Sequence, residues 1–228
     1  MINLDKFKYQ SWLDGRIVAI NSDCQEVMAE IGDKEIDLVL TDPPYGINID
    51  GGIGGGVYAK KSNFEKKGWD NESPKKKIFE EIFRISKNQI IFGANHFISK
   101  IPFDSSSWLV WDKDNGSNNF ADCELAWTSH KTAVRKFKWR WQGMLQENMK
   151  NKDEKIHPTQ KPIALMAWCL NNYSKEDDLV LDAFSGSFTT AIACIKTKRR
   201  FIGCELDKEY FEKACERIDT ELKQLTLF

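Results

Sequence analysis

Ile36-Asp37-Leu38-Val39-Leu40-Thr41-Asp42-Pro43-Pro44-Tyr45-Gly46 decides the reading of this 228-residue chain. Residues 36–40 form a short apolar run that reads as a buried strand. Two prolines stop it, because neither can donate to a ladder. Asp42 therefore falls at a strand end, on a turn stiffened by proline. On both sides of this point short apolar runs alternate with helical segments, which predicts a mainly parallel sheet with helices on both faces.

Upstream, residues 16–20 read as a strand and 25–31 as a helix. Downstream, Ser73-Pro74 opens a helix with proline at its first position, running to about Ser86. Strands follow at 89–92, 108–111 and 124–128. The last two lie close in sequence around a turn near Asn115-Gly116, as an antiparallel pair at one sheet edge would. Further on come a helix at 162–172, a strand at 179–181, a helix at 188–196, a strand at 200–204 and an amphipathic helix at 208–223. Residues 46–71 read as a long loop, made permissive by Gly51, Gly52, Gly54, Gly55 and Gly56. Residues 142–155 read as a polar linker. The whole is one α/β domain with a sizeable core and no internal repeat.

Composition is ordinary for a soluble globular protein, with 41% hydrophobic and 29% charged residues. No apolar run is long enough to span a bilayer, and the start of the chain does not read as a signal peptide, so the expectation is a cytoplasmic protein with no membrane partner. The six cysteines show no C-x-x-C pair and no nearby histidine at zinc-ligand spacing. They read as reduced buried thiols, and no metal is expected. Net charge is −1, yet the lysines concentrate at 57–77, and Lys131, Arg135, Lys136, Lys138 and Arg140 fall within 130–141 without an acid. Such local basic stretches suit phosphates even on a near-neutral chain.

The Asp42 turn carries a chemical signature. A base amine is a poor nucleophile because its lone pair is delocalised into the ring. Acceptors for its protons let the nitrogen rehybridise and aim that lone pair at an electrophile. A carboxylate at a strand end supplies one acceptor, and a proline-fixed backbone carbonyl, free of ladder duties, supplies the other. An adjacent aromatic ring can stack on an extruded base. Asp42, Pro43 and Tyr45 suit these three jobs; the plainer reading is a Pro-Pro turn with a surface tyrosine. A second corner follows the strand at 179–181: Asp182-Ala183-Phe184-Ser185-Gly186-Ser187 is a small-residue turn into a helix, the kind that lets a cofactor approach the backbone. The next strand ends at Gly203-Cys204-Glu205, where an acid can bind ribose hydroxyls. A third segment, His157-Pro158-Thr159-Gln160-Lys161-Pro162, is a stiff loop presenting Thr159 and Lys161. His157 itself reads as solvated.

Taken together these motifs resemble the beta class of DNA amino-methyltransferases, the adenine-N6 and cytosine-N4 DNA methylases, and in particular short phage-type members. Asp42-Pro43-Pro44-Tyr45 resembles the catalytic motif. The His157–Pro162 motif and the Phe184-x-Gly186 turn follow it in the beta-class order, and Asn21-Ser22-Asp23-Cys24 resembles the contact to the cofactor adenine. The resemblance implies a Rossmann-like sheet of seven strands with circularly permuted motif order, in which the strands ending at Asp182 and Asp42 are neighbours. It implies S-adenosylmethionine as cofactor and Asp42, Pro43, Pro44 and Tyr45 as catalytic residues. Phe184, Ser185 and Gly186 would line the methionine end and Glu205 the ribose. Asp23 with Cys24 would meet the adenine, Asp182 would join the cofactor set, and Thr159 and Lys161 would sit near the cofactor carboxylate.

The resemblance implies a site-specific enzyme acting on the N6 amine of adenine in double-stranded DNA. N4-cytosine methylation, and an idle DNA-binding protein that keeps the fold, stay open as alternatives. Target choice falls to an insertion at about 115–155, whose Lys131, Arg135, Lys136, Lys138 and Arg140 alternate with aromatics; the plainer reading is a charged edge strand. The loop at about 46–72 would close over DNA. A homodimer and a cognate restriction endonuclease are the further partners the resemblance allows. One departure stands out: where the family has a second glycine in the cofactor turn, this chain has Phe188. A phenylalanine does not readily take positive φ, so either the turn differs or the ring packs over the cofactor pocket.

Overall fold

A computed structural model describes residues 2–51, 64–116, 121–142 and 145–225. Its strands are β1 (Lys8–Trp12), β2 (Ile17–Asn21), β3 (Ile36–Thr41), β4 (Ser86–Phe92), β5 (Trp108–Asp112), β6 (Cys123–Thr128), β7 (Arg135–Lys138), β8 (Trp141–Gln142), β9 (Leu145–Gln146), β10 (Leu179–Asp182) and β11 (Arg200–Glu205). The helices are α1 (Cys24–Ala29), α2 (Lys76–Ile85), α3 (Ile163–Tyr173), α4 (Thr189–Thr197) and α5 (Lys208–Leu225).

Nine strands form one sheet in the order β1-β2-β11-β10-β3-β4-β6-β5-β7. Its middle, β2 through β5, is the seven-strand arrangement the resemblance implies. β1 adds an antiparallel strand on one side and β7 a parallel strand beside β5 on the other. β8 and β9 pair as a small separate ribbon, so part of the supposed polar linker is structured. β5 and β6 are antiparallel as expected, but β7 covers β5, so the sheet edge lies one strand further out.

The central strands are buried on both faces, which is why they read as nearly continuous apolar runs. Leu38, Leu40 and Val180 pack with residues of α3, α4 and α5 on one face. Val39, Leu181 and Ile91 pack with α1 and α2 on the other. α2 shows the logic locally: Ile78, Phe79, Ile82 and Phe83 recur at helical spacing and are buried, each worth about 2 kcal/mol. It begins later than expected. Ser73-Pro74 stays outside, and Lys75 is the N-cap, without a side-chain cap bond.

Candidate active site

β3 and β10 lie side by side and parallel, with Val180 opposite Leu38 and Leu181 opposite Val39. Their carboxyl ends therefore open on the same side of the sheet. From here β3 leads through α2 to β4 on one flank, and β10 leads through α4 to β11 on the other. A crevice forms where connections diverge in this way. One cleft of about 2380 Å³ occupies it, lined both by Asp42–Tyr45 and by the turn 183–187.

Asp182 fastens the two corners. Thr41 Oγ1 donates to its Oδ1 and Thr190 Oγ1 to its Oδ2, both at 2.7 Å, and the Phe184 N–H adds a third bond at 3.2 Å. Burial pushes this carboxyl up to about 6, against the pull of those donors. Asp182 thus ties the two corners together, and it also lines the cleft, where the resemblance counts it among the cofactor contacts.

At the other corner Asp42 Oδ1 accepts from the Tyr45 hydroxyl at 2.7 Å, and Lys161 donates to Oδ2. Lys161 also meets Glu124 Oε2 at 3.0 Å, and Lys113 meets Glu124 Oε1 at 2.5 Å. Lys161 thus bridges two carboxylates at the Asp42 corner while lining the cleft in which the resemblance sets it near the cofactor carboxylate. Burial pushes the Asp42 carboxyl above the usual range; Lys161 pulls it down and Glu124 adds to the rise. Burial also raises Glu124, but its two ammoniums outweigh this and hold it at about 2. The Tyr45 ring is half-buried and lines the cleft. It stacks on His96 with centroids 4.8 Å apart. It also lies over Gly93, where a Cβ would fall 1.9 Å from the ring, so only glycine fits.

The cofactor corner is a tight turn. Ser185 Oγ donates to Asp182 O at 2.9 Å, and the Ser185 N–H donates to Cys204 O at 2.9 Å. Gly203 on β11 permits this approach, since a Cβ there would fall 2.3 Å from Ser185 Oγ. Glu205 accepts from the Gly186 N–H at 2.9 Å and the Asp207 N–H at 2.7 Å. Burial pushes its carboxyl up to about 7. Asp23 caps α1 by accepting from the Gln25 N–H at 2.8 Å, and burial raises the Cys24 thiol to about 12. Both residues line the cleft. Thr159 lines it too, its hydroxyl 3.2 Å from His157 Nδ1.

Phe188 resolves differently from either expectation. It adopts φ 53, in the left-handed region that favours glycine. Its ring is fully buried against Phe201 and Phe211, away from the cleft. The left-handed backbone costs about 1–2 kcal/mol, which burial of a whole phenyl ring offsets. His157 also departs from its reading as solvated. It is buried between Trp69 and Tyr210, with centroids at 5.0 and 4.4 Å, and roofs Gly186. Burial first, and then the nearby Lys161 and Lys155, hold it down to about 3, so it is neutral.

Of the long loop, residues 52–63 lie outside the described residues. The flanks are pinned together: Asp70 accepts from the Gly46 and Ile49 N–H groups at 2.8 and 2.9 Å. Lys67 reaches Asp207 at 2.9 Å and Glu209 at 2.8 Å, beside the end of β11. The five basic residues of the recognition stretch line no part of the cleft. Lys136 pairs with Asp112, and Lys138 and Arg140 pair with Asp114, while Lys131 and Arg135 are exposed. β7 is the charged edge strand of the plainer reading. The cleft takes Lys113, Trp141, Leu145 and Lys155 from this region instead. Glu124, Lys113 and Trp69 were missed because each acts through a partner distant in sequence. The one local hint was an acid inside the otherwise apolar strand at 124–128.

One cleft joins a proline-fixed carboxylate to a glycine turn under an acidic strand end, the juxtaposition expected of an amino-methyltransferase site. The "DNA methylase" family model of N6 and N4 methylases matches residues 123–216. The chain is 26% identical to the Type II methyltransferase M2.DpnII of Streptococcus pneumoniae, over 90% of this chain and 91% of that protein. It is 26% identical to the Type II methyltransferase M2.MboI of Moraxella bovis, over 85% and 84%. Among solved structures it resembles the M1.HpyAVI–SAM complex at TM-score 0.58 and 26% identity, covering 88% of this chain and 99% of that one. The cytosine-N4-specific PvuII DNA methyltransferase shares the fold, at TM-score 0.60 and 16% identity over 88% and 86%. The chain is thus similar to the N6/N4 DNA methylases, through the family model over residues 123–216 and through Type II methyltransferases over most of its length.

Proposed function

We propose that the chain transfers a methyl group from S-adenosylmethionine to the N6 amine of adenine in double-stranded DNA. The observation that carries this reading is the shared cleft: the Asp42 carboxylate and the Gly186 turn open into one space. The residues present suit the cofactor. Gly186 and Gly203 keep the turn close-packed and low, and the Glu205 carboxylate, satisfied only by backbone N–H groups, remains an acceptor for ribose hydroxyls. Asp23 offers a carboxylate to an adenine amine. Phe184, Ser185, Gly186 and Thr159 line the space left for the methionine end.

When bound, S-adenosylmethionine supplies a methyl group already activated by a positive sulfur. The protein's part is to orient and polarise. Asp42 and the Pro43 carbonyl accept the two amine protons and so aim the nitrogen lone pair. Pro44 keeps the turn stiff. Tyr45 orients Asp42 through its hydroxyl. The proton leaves after transfer, so no strong base is required. Adenine is preferred because cytosine members of the family often carry serine at the Asp42 position. The idle reading rested on Phe188, whose ring lies outside the cleft.

The finer picture is a single methyltransferase domain with a recognition insertion at about 115–155 and a loop at about 46–72. It works in the cytoplasm on duplex DNA, as a homodimer or beside a cognate endonuclease. Among the described residues no helix is long and apolar enough to cross a membrane. Lys131, Arg135, Lys136, Lys138 and Arg140 then meet phosphates; the last three exchange Asp112 and Asp114 for DNA, since pairs this close to the surface are worth little.

The test is methyl incorporation into duplex DNA, with nucleosides resolved by mass spectrometry. N6-methyladenine is expected, and N4-methylcytosine overturns the base assignment. Asp42→Ala is expected to abolish transfer while leaving cofactor binding measurable; retained transfer removes Asp42 from its role.

A further inference from the structure

The Asp42 carboxylate faces a conflict. A target amine is a donor and needs a free acceptor. Oδ1 already takes the Tyr45 hydroxyl and Oδ2 the Lys161 ammonium, so an amine can reach only the remaining lone pairs, and at Oδ2 it competes with a cation for space and electron density. Lys161 is only 6% exposed, so it cannot retreat into water. Its ammonium has three donors on a flexible stem. Besides Asp42, the carboxylate within its reach is Glu124, at 3.0 Å.

Glu124 is built to hold it. The residue lies on β6 opposite Trp111 of β5, and Lys113, just beyond β5, grips its other oxygen at 2.5 Å. The Tyr45 hydroxyl is 3.4 Å from both Glu124 Oε2 and Lys161 Nζ, so all four groups touch. Two carboxylates and two ammoniums balance, and the balance survives if Lys161 shifts its weight from one carboxylate to the other. This inference rests on the reading given under Proposed function. We propose that Glu124 is a positioning residue: by holding Lys161 from the far side, it lets Asp42 release that ammonium and turn Oδ2 to the target amine.

The groups facing Asp42 are Tyr45 from its own turn, Lys161 from the loop before α3, Glu124 from β6 and, more distantly, Asp182 from β10. Removing the Glu124 charge leaves Lys161 to Asp42 alone. Asp42 is then easier to ionise but harder to free.

The experiment compares wild type with Glu124→Gln in the full chain. It measures kcat against pH on duplex DNA with labelled S-adenosylmethionine, and cofactor Kd separately. A displaced acceptor of this kind costs about 100-fold. The expected result is a kcat loss of that order, cofactor Kd within twofold, and an acid limb of the kcat profile moved to lower pH. A packing defect lowers kcat at every pH and leaves the limb in place, which would overturn the proposal, as would an unchanged kcat. A second arm adds Glu124→Gln to Lys161→Met. No further loss is expected if Glu124 acts through Lys161, and an additive loss overturns that route. Wild type without any transfer condemns the functional reading; wild type active with an unaltered variant condemns only this inference.

Discussion

Thr41 and Asp182 are 141 positions apart, yet their side chains share a 2.7 Å hydrogen bond in the floor of the cleft. The strand end that carries Asp42 is thereby tied to the turn that carries Gly186. Thr41→Val keeps the shape and removes the donor. The expected cost is about 1–3 kcal/mol, because a buried carboxylate loses one partner. Denaturant unfolding measures it, and kcat should fall alongside as the corners drift. Unchanged stability would show that Thr190 and the Phe184 N–H suffice.

Phe188→Gly separates backbone from packing. Glycine relieves the left-handed strain of about 1–2 kcal/mol. Losing a fully buried ring costs about 3–5 kcal/mol. The net expectation is destabilisation by about 1–4 kcal/mol, seen as a lower Tm, with cofactor Kd nearly unchanged because the ring lies outside the cleft. A large loss of cofactor affinity without loss of stability would contradict this account.

Glu205 makes two opposed pH dependences. Its folded-state value, about 7, lies above the ordinary 4.5. The protonated form therefore favours folding. That contribution is complete below about pH 4.5 and is lost as pH rises through about 7. Ribose hydroxyls prefer the ionised form, so cofactor affinity should rise with pH up to about 7, roughly tenfold per unit below that. Calorimetric titration between pH 5.5 and 8.5 checks this, and Glu205→Gln should flatten the curve.

Tyr45→Phe deletes the hydroxyl that lowers the Asp42 carboxyl and keeps the stack on His96. Without that bond Asp42 ionises less readily, so the acid limb of kcat should move to higher pH, opposite to Glu124→Gln. Stability should change by about 1 kcal/mol or less. A limb that stays put would show that the hydroxyl does not orient Asp42.

Much of this architecture was readable before the fold. β3 and β10 announce themselves as apolar runs ended by Asp42-Pro43 and by Asp182, and an apolar run closed by a turn needs no distant partner to be seen. β1 was not seen, because Lys8–Trp12 is a half-exposed edge strand with little apolar pattern. Phe188 was misjudged because φ preference is local, whereas the burial that overrides it comes from Phe201 and Phe211. The pairing of Lys161 with Glu124 is not legible in the sequence for a similar reason: Glu124, on an antiparallel strand, comes near only once the sheet has formed. His157 looked solvated because Trp69, which covers it, belongs to a loop nearly ninety residues earlier.

The strand order has a consequence for synthesis. β10 and β11 lie between β2 and β3, yet the ribosome makes them last. Until then the nascent chain holds β3 with one parallel neighbour, β4, and β2 with none. Two apolar strand flanks wait open until β10 and β11 are made, a state prone to wrong pairing. The enzyme thus gains its methyl-donor corner and its closed sheet in the same late step, and a chain truncated before residue 179 would have neither.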